Sequence, residues 1–321
     1  MISMQSTPGI DASNFVSSFN LAFYFMVGIA LLFMLGLTVL MLYFVYKYNR
    51  KKNSKAVQIE GSVRLEILWT VIPALLTLLM FYFGWSGWKP MTKAPDDAMV
   101  VTSTARMWNF SFEYENGKSS PELVVPVNTP VKINLVALDV IHSLFIPAFR
   151  IKSDMVPGRE TMMWFLPQRE GQYDLYCAEY CGLQHSYMTS VVKVVSQEEY
   201  LKWYTDTTAV TTATEGSAPG AEGLAILKNR GCNACHTSDG SKLVGPSYLD
   251  LRFGEKLIVL RDGKETEVTV DETYIINSIY DPNSEIVKGY PKGLMQSYKG
   301  VVPEDEITKI IEYLKSLNEE Q

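Results

Sequence analysis

Cys177-Ala-Glu179-Tyr-Cys181-Gly-Leu-Gln-His185-Ser-Tyr-Met188 crowds two thiols, an imidazole and a thioether into twelve residues. A second imidazole lies upstream, in Asp139-Val-Ile-His142-Ser-Leu-Phe-Ile-Pro147. The whole chain has 321 residues with only 3 His and 4 Cys, so these two stretches hold most of its metal-binding chemistry. Two thiolates, two imidazoles and a thioether form a soft donor set of the kind copper takes. One blue-type copper ion needs a single cysteine, whereas two cysteines four residues apart can bridge two copper ions, each with one terminal histidine. Positions 177, 181, 185 and 188 would also share one face of a helix, and the two thiols could close a disulfide in an oxidising compartment. Gly182 and the β-rich flanks oppose the helix, and a disulfide leaves His142, His185 and Met188 without a role.

Outward from this loop, Met99 to about Val195 reads as short apolar runs broken by turns. Met99-Val-Val101, Glu122-Leu-Val-Val125, Val131-Lys-Ile-Asn-Leu-Val-Ala137 and Ser190-Val-Val-Lys-Val-Val195 are the clearest strands. Asn116-Gly117, Pro121, Asn128-Thr-Pro130 and Pro157-Gly158 separate them. Such spacing predicts an antiparallel sandwich or barrel over 93–205. Ligands gathered in one loop, with one histidine from a distant strand, suit a copper-binding sandwich. Residues 206–220, DTTAVTTATEGSAPG, are small and polar and predict a linker.

Beyond the linker, 221–321 is expected to be a small helical domain. Ala221–Arg230 is amphipathic and stops at Gly231, Asp262-Gly263 marks a hairpin within 256–270, and Pro303 opens a last helix. That helix places Ile307, Ile310, Ile311 and Leu314 on one face. Cys232-Asn-Ala-Cys235-His236 is the attachment sequence for c-type haem. Two thiols on one turn can form thioethers to both vinyl groups, and His236 then presents its imidazole to the iron. A zinc site lacks the second cysteine pair it would need, and a redox dithiol requires no adjoining histidine. Met295 is the one methionine beyond Met188, so it is the candidate for the sixth iron ligand.

The head of the chain is different. No charge falls between Asp11 and Lys47, and 21–46 is almost wholly apolar; a second uncharged run fills 67–88. As helices of 26 and 22 residues, both can cross a hydrocarbon layer of about 30 Å. Trp69, Tyr82, Trp85 and Trp88 stand near the ends of the second, where amphipathic rings favour the headgroup layer. The loop between the spans carries Lys47, Arg50, Lys51, Lys52, Lys55 and Arg64 against Glu60 alone, which predicts a cytoplasmic loop with the N-terminus and the soluble body outside. Residues 1–92 are thus read as an N-terminal segment and transmembrane hairpin in a bacterial inner (cell) membrane, with the body on the periplasmic or outer side. Residues 1–90 hold 7 Lys/Arg and 3 Asp/Glu, leaving 22 and 32 for the body. An acidic body argues against a nucleic-acid partner, since phosphate backbones demand positive charge.

Taken together, Cys-x-Glu-x-Cys-Gly-x-x-His-Ser-x-Met after Asp-x-x-His-Ser resembles the binuclear copper (CuA) site of cytochrome c oxidase subunit II. Glu66-Ile-Leu-Trp69-Thr-Val-Ile-Pro73 is similar to the start of that subunit's second span. Met107-Trp108-Asn-Phe110-Ser-Phe-Glu-Tyr114 resembles its aromatic strand, with Phe110 where Trp is frequent, and Lys152-Ser-Asp-Met-Val-Pro157-Gly-Arg159 its Pro-Gly-Arg turn. The likeness covers about 15–205. Gly245-Pro246 resembles the loop of class I cytochromes c that supports the proximal histidine, while Gln296 departs from the proline that often follows the ligand methionine. The fused domain makes the chain similar to subunit II of caa-type haem–copper oxidases.

The resemblance implies a cupredoxin-like Greek-key domain followed by an all-α class I cytochrome c domain. It implies that Cys177 and Cys181 bridge two coppers, that His142 and His185 are terminal ligands, and that Met188 and the Glu179 carbonyl are axial. It further implies a magnesium ion on the Glu179 side chain, electron entry at Trp108 and a proton entrance at Glu66. The haem would be held by Cys232, Cys235, His236 and Met295. The implied partners are oxidase subunits I and III, the bilayer, and an external donor such as a cytochrome c or a quinol:cytochrome c oxidoreductase. The implied activity is that of a proton-translocating oxidase whose oxygen-reducing site lies in another chain. Two other functions compete: the CuA subunit of a nitric oxide reductase, and a membrane-tethered copper-delivery or redox module, which would need no haem.

Overall fold

The computed structural model describes residues 12–55, 58, 60–206 and 220–317. The apolar runs form two long helices, α1 (Val16–Lys47) and α2 (Val63–Trp88). Each outruns its uncharged window because helical hydrogen bonding continues into the polar flanks: Glu66 already sits in the first turn of α2. Pro73 lies inside α2 without ending it. The rings of Phe25 and Phe83 meet 4.8 Å apart between the helices, and most other apolar side chains of the pair face outward. By length and composition both helices can cross a membrane.

Alternation of apolar and polar residues sets the next layer. In β5 (Val131–Ala137) Val131, Ile133, Leu135 and Ala137 are buried while the residues between them are not. In β1 (Met99–Arg106), Val101, Ser103 and Ala105 stand beside Ile133, Leu135 and Ala137. These strands join β2 (Asn109–Tyr114), β3 (Ser119–Ser120) and β8 (Thr161–Phe165) in a sheet ordered β3-β2-β1-β5-β8. The facing sheet runs β4-β10-β9-β6-β7, from β4 (Leu123–Pro126), β6 (His142–Ile146), β7 (Ile151–Met155), β9 (Gly171–Cys177) and β10 (Thr189–Val195). Phe110, Phe112, Phe149 and Phe165 fill the space between the sheets, each worth about 1.5–3 kcal/mol of burial. The result is a cupredoxin-like β-sandwich. It is not wholly antiparallel: β1 runs parallel to β5, and β4 to β10. A period-two pattern is the same for either direction, so sequence alternation carries no sign of this.

Side chains tie the layers together. The Tyr114 hydroxyl donates to the Val124 carbonyl at 3.0 Å and accepts from the Val124 N–H at 2.7 Å, joining one sheet to the other. Lys118 donates to the Trp203 and Asp206 carbonyls at the end of α3 (Gln197–Thr205), where helix carbonyls lack intrahelical partners. Trp164 on β8 holds both ends of the helical hairpin: its ring packs edge-on against Phe15 at 4.9 Å, and its Nε1–H donates to the Pro90 carbonyl at 3.0 Å.

Most of the expected linker, 207–219, lies outside the described residues. After it, α4 (Ala221–Asn229) packs on α6 (Glu304–Ser316), clamped by Arg230 on Glu306 at 2.7–2.8 Å and Lys309 on Glu222 at 3.0 Å. Ile307, Ile310, Ile311 and Leu314 are buried with Leu227, Tyr313 and Ile275, the last on α5 (Glu272–Tyr280). The all-α expectation is corrected here. The Asp262-Gly263 turn joins β11 (Lys256–Arg261) to β12 (Lys264–Thr269), and β13 (Ile286–Val287) adds to the free side of β11. A turn dipeptide between alternating residues favours strands even in a mainly helical unit.

Candidate metal centre and the adjoining apolar cavity

Pairing of β6 with β9 sets Leu144 opposite Cys177, so His142 enters beside the loop that leaves β9. The Cys177 N–H donates to the Met188 carbonyl at 3.1 Å and the Ala178 N–H to the Ser143 carbonyl at 3.0 Å, which closes the loop back onto the sheet. It is not a helix; its one helical feature is a single turn at His185–Tyr187.

The closure lines up donor atoms. His142 Nδ1 lies 3.9 Å from Cys177 Sγ, which lies 3.7 Å from Cys181 Sγ, which lies 3.5 Å from His185 Nδ1. Met188 Sδ is 3.7 Å from Cys181 Sγ, and the Glu179 carbonyl 3.2 Å from Cys177 Sγ. Both thiols are free, and their separation is far beyond the roughly 2.05 Å of a disulfide. His142, Cys177, Cys181 and Met188 are buried. Six donor groups from two distant stretches thus converge.

The electrostatics of the centre are tightly linked. Asp139 accepts from His142 Nε2 at 2.8 Å and from the Met107 N–H at 2.7 Å. A carboxylate on Nε2 holds the proton there and turns Nδ1 to the thiols. Burial pulls the imidazole's pKa down, but Asp139 and Cys177 outweigh it and push His142 up to about 9. The Cys181 thiol, with help from His142, holds Cys177 well below the usual thiol range, while Cys181 itself is pushed up by Cys177 and by burial. The surroundings thus bias Cys177 toward the thiolate, the form of sulfur a soft metal needs.

Trp108 lies directly against the loop and is 3% exposed. Its Nε1–H donates to the Cys181 carbonyl at 3.0 Å. Gly182, at φ +115°, leaves room for the indole; a Cβ there would sit 3.2 Å from Trp108 Cζ2. The side chain expected to receive electrons is therefore inside the protein and hydrogen-bonded to the backbone of a candidate ligand. Glu179 Oε1 lies 3.4 Å from Lys152 Nζ at the exposed rim. Glu66 is remote from all of this, in the first turn of α2.

On the other side of Met107 lies an apolar cavity that opens to solvent. Cys232, Cys235, His236 and Met295 all line it, with Leu227, Ile275 and other apolar groups. His236 Nδ1–H donates to the Pro246 carbonyl at 2.7 Å, leaving Nε2 as the free lone pair. This is the support expected from Gly245-Pro246. Paired thiols, a tautomer-fixed imidazole and a thioether around an apolar space fit a covalently held haem. Cys235, Val244 and Leu294 also pack on the sandwich core, so the cavity and the donor cluster share one wall.

Sequence reasoning passed over Asp139, Arg106 and Met107 as site residues. The signal for Asp139 was its place three residues before His142; nothing local distinguishes Arg106 and Met107.

Known proteins support the likeness. The family description "Cytochrome C oxidase subunit II, periplasmic domain" matches residues 118–195, and its transmembrane-domain counterpart matches 2–84. Cytochrome c oxidase subunit 2 of Cereibacter sphaeroides is 31% identical over 206 residues, covering 52% of this chain and 68% of the relative. That of Alkalihalophilus pseudofirmus is 27% identical over 308 residues, covering 90% of this chain and 85% of the relative, so the similarity reaches past the linker. The crystal structure of the periplasmic domain of subunit II of cytochrome oxidase from Bradyrhizobium japonicum is 30% identical, covers 35% of this chain and 94% of that one, and has a TM-score of 0.33.

Proposed function

Because the chain belongs to the cytochrome c oxidase subunit II family, we propose that it is the electron-transfer subunit of a haem–copper oxidase and carries its own fused cytochrome c. The observation that carries this reading is the line from His142 Nδ1 through both sulfurs to His185 Nδ1, with steps of 3.9, 3.7 and 3.5 Å. Cys177 and Cys181 would bridge a copper pair, His142 and His185 would cap its ends, and Met188 and the Glu179 carbonyl would be axial. Cys232 and Cys235 would hold a haem by thioethers, with His236 and Met295 on its iron. When bound, these groups would supply one-electron redox chemistry, the haem c and CuA centres serving as electron carriers toward the haems of subunit I in a proton-pumping oxidase that reduces oxygen to water.

The protein's part is to hold and shield. Asp139 fixes the ring of His142, and the Pro246 carbonyl fixes that of His236. The β1–β2 turn spans the wall between the two sites: Met107 lines the cavity while Trp108 bonds to the Cys181 backbone. The path for electrons would follow these two residues. Around the copper ligands, Leu138, Val140, Ile141, Tyr180, Leu183 and Tyr187 are exposed, an apolar rim suited to cover by subunit I. Glu179, at that rim, would offer its carboxylate to a magnesium ion, and Glu66 would be a proton entrance. The Lys/Arg-rich 47–64 loop supports a cytoplasmic hairpin turn, with the body outside a bacterial cell membrane. Subunit III and an external donor, a cytochrome c or a quinol:cytochrome c oxidoreductase, complete the proposed partners.

Electron paramagnetic resonance of the purified complex tests the core of this reading. The wild type should give a mixed-valence copper signal delocalised over two nuclei. Cys181→Ser should abolish it and leave haem covalently attached, because Cys232 and Cys235 lie in the segment after α4, apart from the 177–188 loop that holds Cys181. A variant that kept the delocalised signal would overturn the bridging role.

A further inference from the structure

The apolar cavity has one wall that does not come from the cytochrome-like domain. Arg106, the last residue of β1 in the sandwich, lines it together with Cys232, Cys235, His236 and Met295. Its guanidinium stacks on the Tyr298 ring at 4.3 Å from the centroid. Its Nη1 is buried and has no hydrogen-bond partner among the described residues. A buried guanidinium nitrogen with an unused donor is costly unless an anion meets it.

Among the described residues, the one other charged group on the cavity wall is Glu285, and it is paired with Arg261. The cytochrome-like domain's own arginines are engaged elsewhere: Arg230 on Glu306, Arg252 near Glu255, and Arg261 on Glu285. A haem, by contrast, brings two carboxylates into whatever cavity encloses it, and these require donors.

We propose that Arg106 of the copper-binding sandwich is the cation that receives a haem carboxylate, so that the haem site is built by two domains rather than one. The inference rests on the haem reading above and deepens it. An Arg fork matches a carboxylate in shape as well as charge. Held there, the positive charge favours the reduced, less positive haem and so raises its reduction potential. It also makes docking of the domains and occupation of the cavity mutually reinforcing, since the haem would neutralise a charge that the docked apo form leaves unmatched. Met107 and Trp108 follow Arg106 directly, so one turn of chain would touch both redox sites.

The test uses the whole oxidase complex carrying Arg106→Gln or Arg106→Lys, with haem c potential followed by spectroelectrochemistry from pH 5 to 8. Haem staining of the denatured subunit reports attachment, and the copper absorption reports folding of the sandwich. At pH 8, Arg106→Gln should make haem c about tenfold harder to reduce, about 59 mV for one electron. The deficit should shrink as the pH falls and the freed carboxylate takes up a proton; the wild-type profile should be flatter. Arg106→Lys should restore most of the potential. An unchanged potential in Arg106→Gln with haem attached and copper intact would overturn the proposal. So would a loss that is equal in both variants and independent of pH, which would mark a packing role on Tyr298. Absence of attached haem in the wild type would sink the haem reading itself.

Discussion

At Asp139 one carboxylate serves two elements: it accepts from the ring of His142 and from the backbone of Met107. It therefore sets both the direction of a candidate copper ligand and the position of the turn that bears Trp108. Asp139→Ala should weaken copper binding about 10–100-fold, the usual cost of removing such a support. Competition between the loaded protein and a copper chelator measures this directly, and retained affinity would show that packing alone orients His142. Haem attachment should not change. The donors themselves were legible in the sequence because Cys, His and Met are scarce here and their spacing is distinctive. Asp139 was visible in the same motif but gave no hint of its second bond, since Met107 is distant in sequence. Arg106 was illegible for a further reason: its meaning depends on a contact between two domains, which no local pattern encodes.

Elements were legible where periodicity or punctuation is strong. The two long apolar helices, the β-rich sandwich, the Asp262-Gly263 hairpin and the last helix all follow from patterns contiguous in the sequence. Strand direction does not, and neither does the joining of sheets. Tyr114 illustrates the second case: its hydroxyl both donates to and accepts from the Val124 backbone. Tyr114→Phe keeps the ring against Trp203 but leaves the buried Val124 N–H and C=O without that partner. The loss should be about 1–3 kcal/mol. Heating the purified complex while following the copper absorption should show bleaching several degrees earlier than in the wild type, with the starting spectrum unchanged. An unshifted midpoint would mean that the Tyr114 hydroxyl does not help to hold β2 against β4.

For the whole molecule, the question is why an acidic second domain is attached to this sandwich at all. The 15 residues of 206–220 keep the two domains in one chain, so that their meeting is intramolecular rather than bimolecular. The described contacts go further than proximity: Cys235, Val244 and Leu294 rest on the sandwich, and Arg106 and Met107 line the cavity of the other domain. With that domain docked, Trp108 is buried, so a soluble donor has no direct access to its ring. A donor would then meet the fused domain first, and delivery to the copper site should not depend on protein concentration. Truncation after Asp206 removes the tether and the docked domain but none of the copper ligands. The truncated subunit should insert, keep its delocalised copper signal, lose covalent haem and oxidise the physiological donor more slowly. Rapid mixing of the reduced full-length complex with oxygen supplies the complementary measurement. Haem c and copper bands should reoxidise together within each turnover, at a rate unchanged by dilution. If the truncated oxidase turned over the same donor at the full rate, or if haem c stayed reduced over many turnovers of the intact complex, the fused domain would not be on the path of electrons.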